Sequence, residues 1–179
     1  MKKILQDLSF DEVCSLVLSL GEKKFRATQL YEGLMQGKSI DKITSLSKEF
    51  KEKLKEEYEN EPVVIKEKYL SSDGTEKYLF SLADGNLIEG VLMKYKYGYT
   101  QCVSTQVGCR MGCRFCASTI GGKVRDLTSG ELLGQVIAAE KDLDERISNI
   151  VMMGIGEPLD NYDNVIRFLR LVNLHNSEG

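Results

Sequence analysis

Leu5, Leu8, Phe10, Val13, Leu16, Val17 and Leu20 recur at three- and four-residue intervals. That spacing predicts an amphipathic helix, and Gly21 can end it. A second helix is predicted over Phe25–Leu34, stopped near Gly37. A third runs from Ser47 to about Tyr58, where Lys and Glu decorate a solvated face around Phe50 and Leu54. At Pro62 the pattern changes to short runs of β-branched and aromatic residues: Val63-Val64-Ile65, Tyr69-Leu70, Tyr78–Leu82 and Leu87–Met93. Ser72-Asp73-Gly74-Thr75 and Asp84-Gly85-Asn86 are hairpin signals between them. An antiparallel meander is therefore predicted over about 62–93, extended by Tyr95–Tyr99.

A third regime begins near 99. Thr100–Thr105 reads as a strand, followed by a glycine- and cysteine-rich loop over 107–122. Thr128 and Glu131 form a capping box ahead of Leu132, Leu133, Val136 and Ile137, so a helix starts there. Asn149–Met153 is continuously apolar apart from its first residue and reads as a strand buried in a parallel sheet. Gly154-Ile155-Gly156-Glu157-Pro158 is a turn, and a last amphipathic helix covers Asn161–Val172. The expected fold class is α/β, in three parts. A helical domain spans 1–60, a β meander or linker spans 61–98, and a βαβα run spans 99–179. Such runs place ligand loops at the C-terminal ends of their strands. Two units cannot close a barrel, and the sequence stops at Gly179, where a third strand is expected.

Composition narrows the class. The 179 residues are 42% hydrophobic and 28% charged, which excludes low-complexity disorder. No run approaches the ~20 apolar residues of a membrane span. Asp7 and Asp11 interrupt any secretory h-region, so a cytoplasmic location is the default. The net charge of −3 argues against a uniformly basic nucleic-acid binder. Yet Lys94, Lys96, Arg110, Arg114, Lys123 and Arg125 share the window 94–125 with no acid. Chance clustering on solvated loops and a cationic wall for a polyanion or a negatively charged cofactor are both open.

Five cysteines in a chain of this kind do not make a disulfide framework. Cys14 falls in an apolar helical pattern and reads as a buried small hydrophobe. Cys109, Cys113 and Cys116 form a C-x3-C-x2-C cluster whose thiolates can converge on a soft metal centre. Structural zinc needs a fourth ligand, and His175, the single histidine, is distant in sequence. An iron–sulfur cluster is the second possibility, its fourth iron left open. A reduced loop without metal is the third. A Gly-x-Gly at a strand end is weak evidence alone, since a dinucleotide loop would also carry it, though with a third glycine.

These residues together resemble the radical S-adenosylmethionine superfamily, whose cluster motif is C-x3-C-x2-C. Phe115 matches the aromatic that the superfamily prefers before its last cysteine. Gly154-Ile155-Gly156-Glu157 resembles its segment that meets the methionine amino group. Cys102-Val-Ser-Thr-Gln-Val-Gly-Cys109, Gly134-Gln135-Val136 and Val151–Pro158 narrow the resemblance to the dual-specificity RNA methyltransferases. Leu20–Gln29 and Ser72–Thr75 extend it over nearly the whole chain.

The resemblance implies a helix-hairpin-helix-like RNA-binding accessory domain followed by the start of a partial (βα)6 barrel. It implies methylation of adenine C2 in large-subunit ribosomal RNA and tRNA, by a cytoplasmic monomer. The implied cofactors are a [4Fe–4S] cluster on Cys109, Cys113 and Cys116, and S-adenosylmethionine on Gly156 and Glu157. A flavodoxin-like or ferredoxin-like donor would supply electrons. Cys102 matches the cysteine that releases the product through a transient disulfide, and Glu89 the proton acceptor. Without the resemblance they would read as a strand cysteine and an exposed strand glutamate. The family's methyl-carrying cysteine would lie beyond Gly179, so these 179 residues alone are expected not to methylate RNA. The alternatives are the sister group that methylates adenine C8, and a non-enzymatic metal-stabilised RNA-binding module.

Overall fold

The computed structural model describes residues 2–177, with side chains described through 173. A short strand β1 (Lys3–Ile4) precedes helices α1 (Phe10–Ser19), α2 (Phe25–Met35) and α3 (Lys48–Glu57). The expected first helix thus begins later than its leucine spacing implies, because Leu5–Asp7 is a separate 3-10 turn. Ser9 fixes the start of α1: its hydroxyl accepts from the Glu12 N–H, and the Glu12 carboxylate accepts from the Ser9 N–H at 2.7 Å. Gly21 follows α1 at φ 80°, a left-handed conformation that suits glycine. The helices close on Val13, Cys14, Val17, Leu30, Leu34, Ile40, Phe50 and Leu54, all buried.

Strand β2 (Tyr58–Glu59) returns to pair with β1 in parallel. Then follow β3 (Val63–Leu70), β4 (Glu76–Leu82), β5 (Leu87–Tyr95) and β6 (Gly98–Cys102). They are joined antiparallel: β3–β4 and β4–β5 by turns at the predicted Asp-Gly positions, with Gly74 and Gly85 at φ 84° and 85°, and β5–β6 by a turn over Lys96-Tyr97. A small ladder, β7 (Gln106–Gly108) with β8 (Lys123–Asp126), precedes α4 (Ser129–Leu143), β9 (Ile147–Val151) and α5 (Tyr162–Ser177). The main sheet has the order β3-β4-β5-β6-β9, and β6 and β9 are parallel. The meander and the first two βα units therefore share one hydrogen-bonded sheet. The α/β architecture matches the expectation.

Two strand expectations need correction. The first βα strand ends at Cys102: Val103 N–H still reaches Val151 O of β9 at 2.9 Å, but beyond it Thr105 N–H turns to Ile155 O at 2.8 Å in the glycine turn. The second strand is an edge strand, with Ile147 buried but Ser148 and Asn149 exposed, so it is not continuously buried.

The sheet has two distinct faces, as alternation requires. Tyr78, Phe80, Ile88 and Leu92 are buried on the α4 side, where the Tyr78 hydroxyl donates to Asp142 and the Gln101 amide to the Gln135 carbonyl. The opposite face carries Glu89, Val91 and Cys102, with Val91 and Cys102 in register. The N-terminal unit docks on the helical side through Asp7. Its carboxylate accepts from Gly130 N–H at 2.5 Å and Ser129 Oγ at 2.7 Å, at the start of α4. Arg167 of α5 donates to the Asp7 carbonyl and to Glu12. Among the described residues, no helix is long and apolar enough to cross a membrane.

Candidate metal and cofactor site

The cysteine loop is not open at its base. β7 and β8 pair Gln106 with Asp126, Val107 with Arg125 and Gly108 with Lys123, which makes a closed neck. Gly108 has φ 70°, and a Cβ there would lie 1.9 Å from the Gly122 carbonyl oxygen. Only glycine fits this neck. Beyond it, Cys109 is buried, with its N–H bonded to Gly122 O at 3.2 Å. Cys116 is half-buried and Cys113 is exposed. The Ser118 side chain and backbone hydrogen-bond the Cys116 sulfur and hold its thiol below the ordinary value. Phe115 is 94% exposed and Ile120 87% exposed, an apolar rim that water does not favour.

These donors can be tested against the groups the motif suggests. Among the described residues, no three His, Cys, Asp or Glu side chains close round a single ion. His175, the remaining zinc candidate, has its side chain outside the described residues. A four-iron cube asks for something different. Each thiolate bonds a separate iron, so three soft donors on one loop, hinged at Gly112 (φ 70°), suit it.

The glycine turn lies directly against this neck. Gly154 N–H donates to Val103 O at 3.1 Å, and Ile155 N–H to Ser104 Oγ at 2.9 Å. A Cβ on Gly154 would meet Val103 O at 2.7 Å, and one on Gly156 (φ 104°) would meet Gln106 Cβ at 2.7 Å. Both glycines are thus demanded by the chain's own packing, before any ligand is considered. Glu157 accepts from Leu159 N–H at 3.1 Å, capping a single turn over Pro158–Asn161. An ionised carboxylate retains acceptor capacity beyond that one bond.

Cys102 and Glu89 sit on the same sheet face. Cys102 is half-buried, and burial raises its thiol pKa, partly offset by a hydrogen bond from the Met153 backbone. Glu89 is half-exposed and ion-paired with Lys77 at 2.5 Å, while its carbonyl accepts from Ser104 Oγ at 2.6 Å. Ser104 therefore links the Glu89 strand to the glycine turn.

Three polar residues in the site were given no role by the sequence: Gln106 lies within a quoted motif, and Asp160 and Asn161 lie outside all of them. Gln106 is fully buried and bonded at every polar atom of its side chain: it donates to Asp126 at 2.8 Å and Asp160 at 2.9 Å, and accepts from Glu157 N–H at 3.0 Å. Asp160 also receives Arg110 and Lys123, and these bonds, Arg110's foremost, hold its carboxyl far below the usual range. Asn161 donates to Thr105 O at 2.9 Å and Leu127 O at 2.8 Å.

The basic window is much less available than its sequence suggests. Arg110 and Lys123 pair with Asp160, and Lys123 also with Asp126 at 2.8 Å. Arg125 is held by Asp84 and Glu131, each at 2.7 Å. Lys94 lies over the Tyr99 ring at 5.1 Å. Among the described residues, Lys96 and Arg114 make no ion pair.

Comparison with known proteins gives this arrangement a context. Residues 4–59 match the family model for the "Ribosomal RNA large subunit methyltransferase N-terminal domain", and residues 103–178 match that for the "Radical SAM superfamily". A protein of Alkaliphilus metalliredigens named "Probable dual-specificity RNA methyltransferase RlmN" is 54% identical, over 94% of this chain and 49% of its own length. One of Clostridium novyi with the same name is 54% identical, over 97% of this chain and 51% of its own. A radical SAM methyltransferase from Sphaerobacter thermophilus, known from its crystal structure, superposes with a TM-score of 0.88 at 36% identity. That match covers 95% of this chain and 52% of the other. The chain spans about half the length of the relatives it matches.

Proposed function

Because the chain is a relative of the dual-specificity RNA methyltransferases, corresponding to the N-terminal half of their length, we propose that it carries the cofactor-binding half of a radical-SAM adenine methyltransferase. One observation supports this most. The three-thiol loop follows β6 and the glycine turn follows β9, so both lie at the C-terminal ends of adjacent parallel strands. That is where open α/β folds and βα barrels bind ligands.

In this reading Cys109, Cys113 and Cys116 hold a [4Fe–4S] cluster, and Gly156 and Glu157 meet the amino end of S-adenosylmethionine. When bound, the cluster would supply the electron for radical chemistry, which adenine C2 needs because it is neither nucleophilic nor acidic. The remaining roles belong to side chains on the face opposite α4. Cys102, whose burial raises its thiol pKa, would as the thiolate attack the sulfur of the family's methyl-carrying cysteine, which lies outside these residues, so that the S–S bond forms as the carbon–sulfur bond to the methylated base breaks. Glu89 takes the C2 proton, and doing so would break its pair with Lys77. The substrates are large-subunit ribosomal RNA and tRNA. A flavodoxin-like or ferredoxin-like donor, a monomeric state and a cytoplasmic location complete the proposal.

The test is made in cells that lack 2-methyladenosine, supplied with the protein that carries this chain. Mass spectrometry of nucleosides from ribosomal RNA and tRNA should show 2-methyladenosine in both. It should vanish on Cys102→Ala or Glu89→Ala. 8-Methyladenosine in its place would assign the chain to the C8 sister group. Neither nucleoside would contradict an enzymatic role.

A further inference from the structure

Apart from the Cys109 N–H to Gly122 O bond at its base, the cysteine loop has little of its own to hold it. Residues 109–122 make short turns, Cys116 N–H to Cys113 O at 3.0 Å and Gly122 N–H to Thr119 O at 3.1 Å, and leave Cys113, Arg114 and Phe115 exposed. Fixing a backbone costs conformational entropy at every residue. Something outside the loop must offset that cost if the thiols are to be arranged before a cofactor arrives.

Both ends of the loop lead to one carboxylate. Arg110 directly follows Cys109, and Lys123 directly follows Gly122. The Arg110 guanidinium donates to Asp160 Oδ1, and the Lys123 ammonium donates to Oδ2 at 3.0 Å. Oδ2 also receives the Gln106 amide at 2.9 Å. The other end of Gln106 accepts the Glu157 N–H, and its amide reaches Asp126. The Asp160 side chain is 10% exposed and Lys123 is 18% exposed, so water screens little of that pair, while Arg110 is 65% exposed and its tie is screened more. Charge-assisted hydrogen bonds in such a setting are short and directional.

We propose that Asp160 is a positioning residue, which holds both ends of the cysteine loop against the Gly156–Glu157 turn. With Gln106 as its bracket, it sets the thiols and the turn in one frame ahead of cofactor binding. The ordering cost is then met at folding and not deducted from cofactor affinity. This deepens the reading above and rests on it for what the loop would hold.

Amide hydrogen exchange on the metal-free 179-residue chain tests it. In Asp160→Ala, the amides of Cys109, Ile120 and Gly122 should exchange about ten-fold faster or more, with α4 and the β4–β5 ladder unchanged. Asp160→Asn, which keeps one oxygen acceptor, should fall between. Should Asp160→Ala fail to fold, Arg110→Met cuts the tie at the start of the loop only. It should then release the Cys109 amide while Gly122 stays protected. Unchanged loop exchange, or acceleration spread evenly over α4 and the sheet, would overturn the proposal. A merely structural residue would give that even spread. Iron uptake by the unsubstituted chain decides the cluster reading separately, because loop exchange is measured without metal.

Discussion

Cys109, Cys113 and Cys116 share one loop but not one environment. Cys109 is packed at the neck, Cys113 faces water, and Cys116 accepts hydrogen bonds from Ser118. Cys102 lies apart on β6, where burial favours the neutral thiol. Thiolate, not thiol, is the nucleophile. Alkylation of the metal-free chain should therefore reach Cys116 at lower pH than an ordinary cysteine, and Cys102 only at higher pH. Mass spectrometry of iodoacetamide-treated chain over a pH series measures this. Equal pH profiles for Cys102 and Cys116 would contradict these environments. At this scale the three-cysteine loop was legible, since C-x3-C-x2-C is a local pattern. Gln106, Asp160 and Asn161 were not. Gln106 finds its partners 20 and 54 residues away, and no periodicity marks a polar side chain that will be buried. The glycine turn was legible for a different reason than packing supplies, because Gly154 and Gly156 are first required by residues 103–106.

Helices and hairpins followed local signals closely. The Thr128–Glu131 capping box starts α4, and both Asp-Gly turns lie where hairpins form. Ser9 and Glu12 make the same motif for α1, and that signal outranks the helix-like spacing of Leu5 and Leu8 upstream of it. The β7–β8 neck left no such trace: its strands are three and four residues long and hold each other only in the folded state. The β4–β5 hairpin is tied to this neck by Asp84, which accepts from Arg125 at 2.7 Å. That bond above all pushes the Asp84 carboxyl down to about 2. A value depressed in the folded state stabilises fully above the unfolded ~3.9 and is lost as pH falls toward the folded one. Asp84→Asn should therefore destabilise the fold at neutral pH, by less than the full shift implies because the residue is exposed. It should also remove part of the stability loss between about pH 4 and 2. Urea melts at several pH values check this. A variant that keeps the wild-type acid slope would contradict it.

In the whole molecule, two contacts decide how far the parts act as one. Asp7 caps α4 from the N-terminal unit, and a Cβ on Gly130 would sit 2.7 Å from the Asp7 nitrogen. The helical unit is thus seated on the helices that back the sheet, while the cysteine loop opens beyond the strand ends. Sequence charge was a poor guide at this scale. The +6 window includes three cations that the fold engages in ion pairs with Asp84, Asp126, Glu131 and Asp160, all outside the window. Such pairing is tertiary, so a charge count along the chain misses it. The order of elements, helices first, then antiparallel strands, then βα units, was legible, because each stretch has its own hydrophobic period. The central claim is that three thiols of this chain hold one four-iron cluster. Anaerobic reconstitution followed by iron and sulfide analysis tests it most directly. The chain should bind roughly four irons and as many sulfides, and Cys109→Ala, Cys113→Ala or Cys116→Ala should each abolish that binding. A colourless zinc-loaded chain, or full iron content in Cys113→Ala, would contradict it.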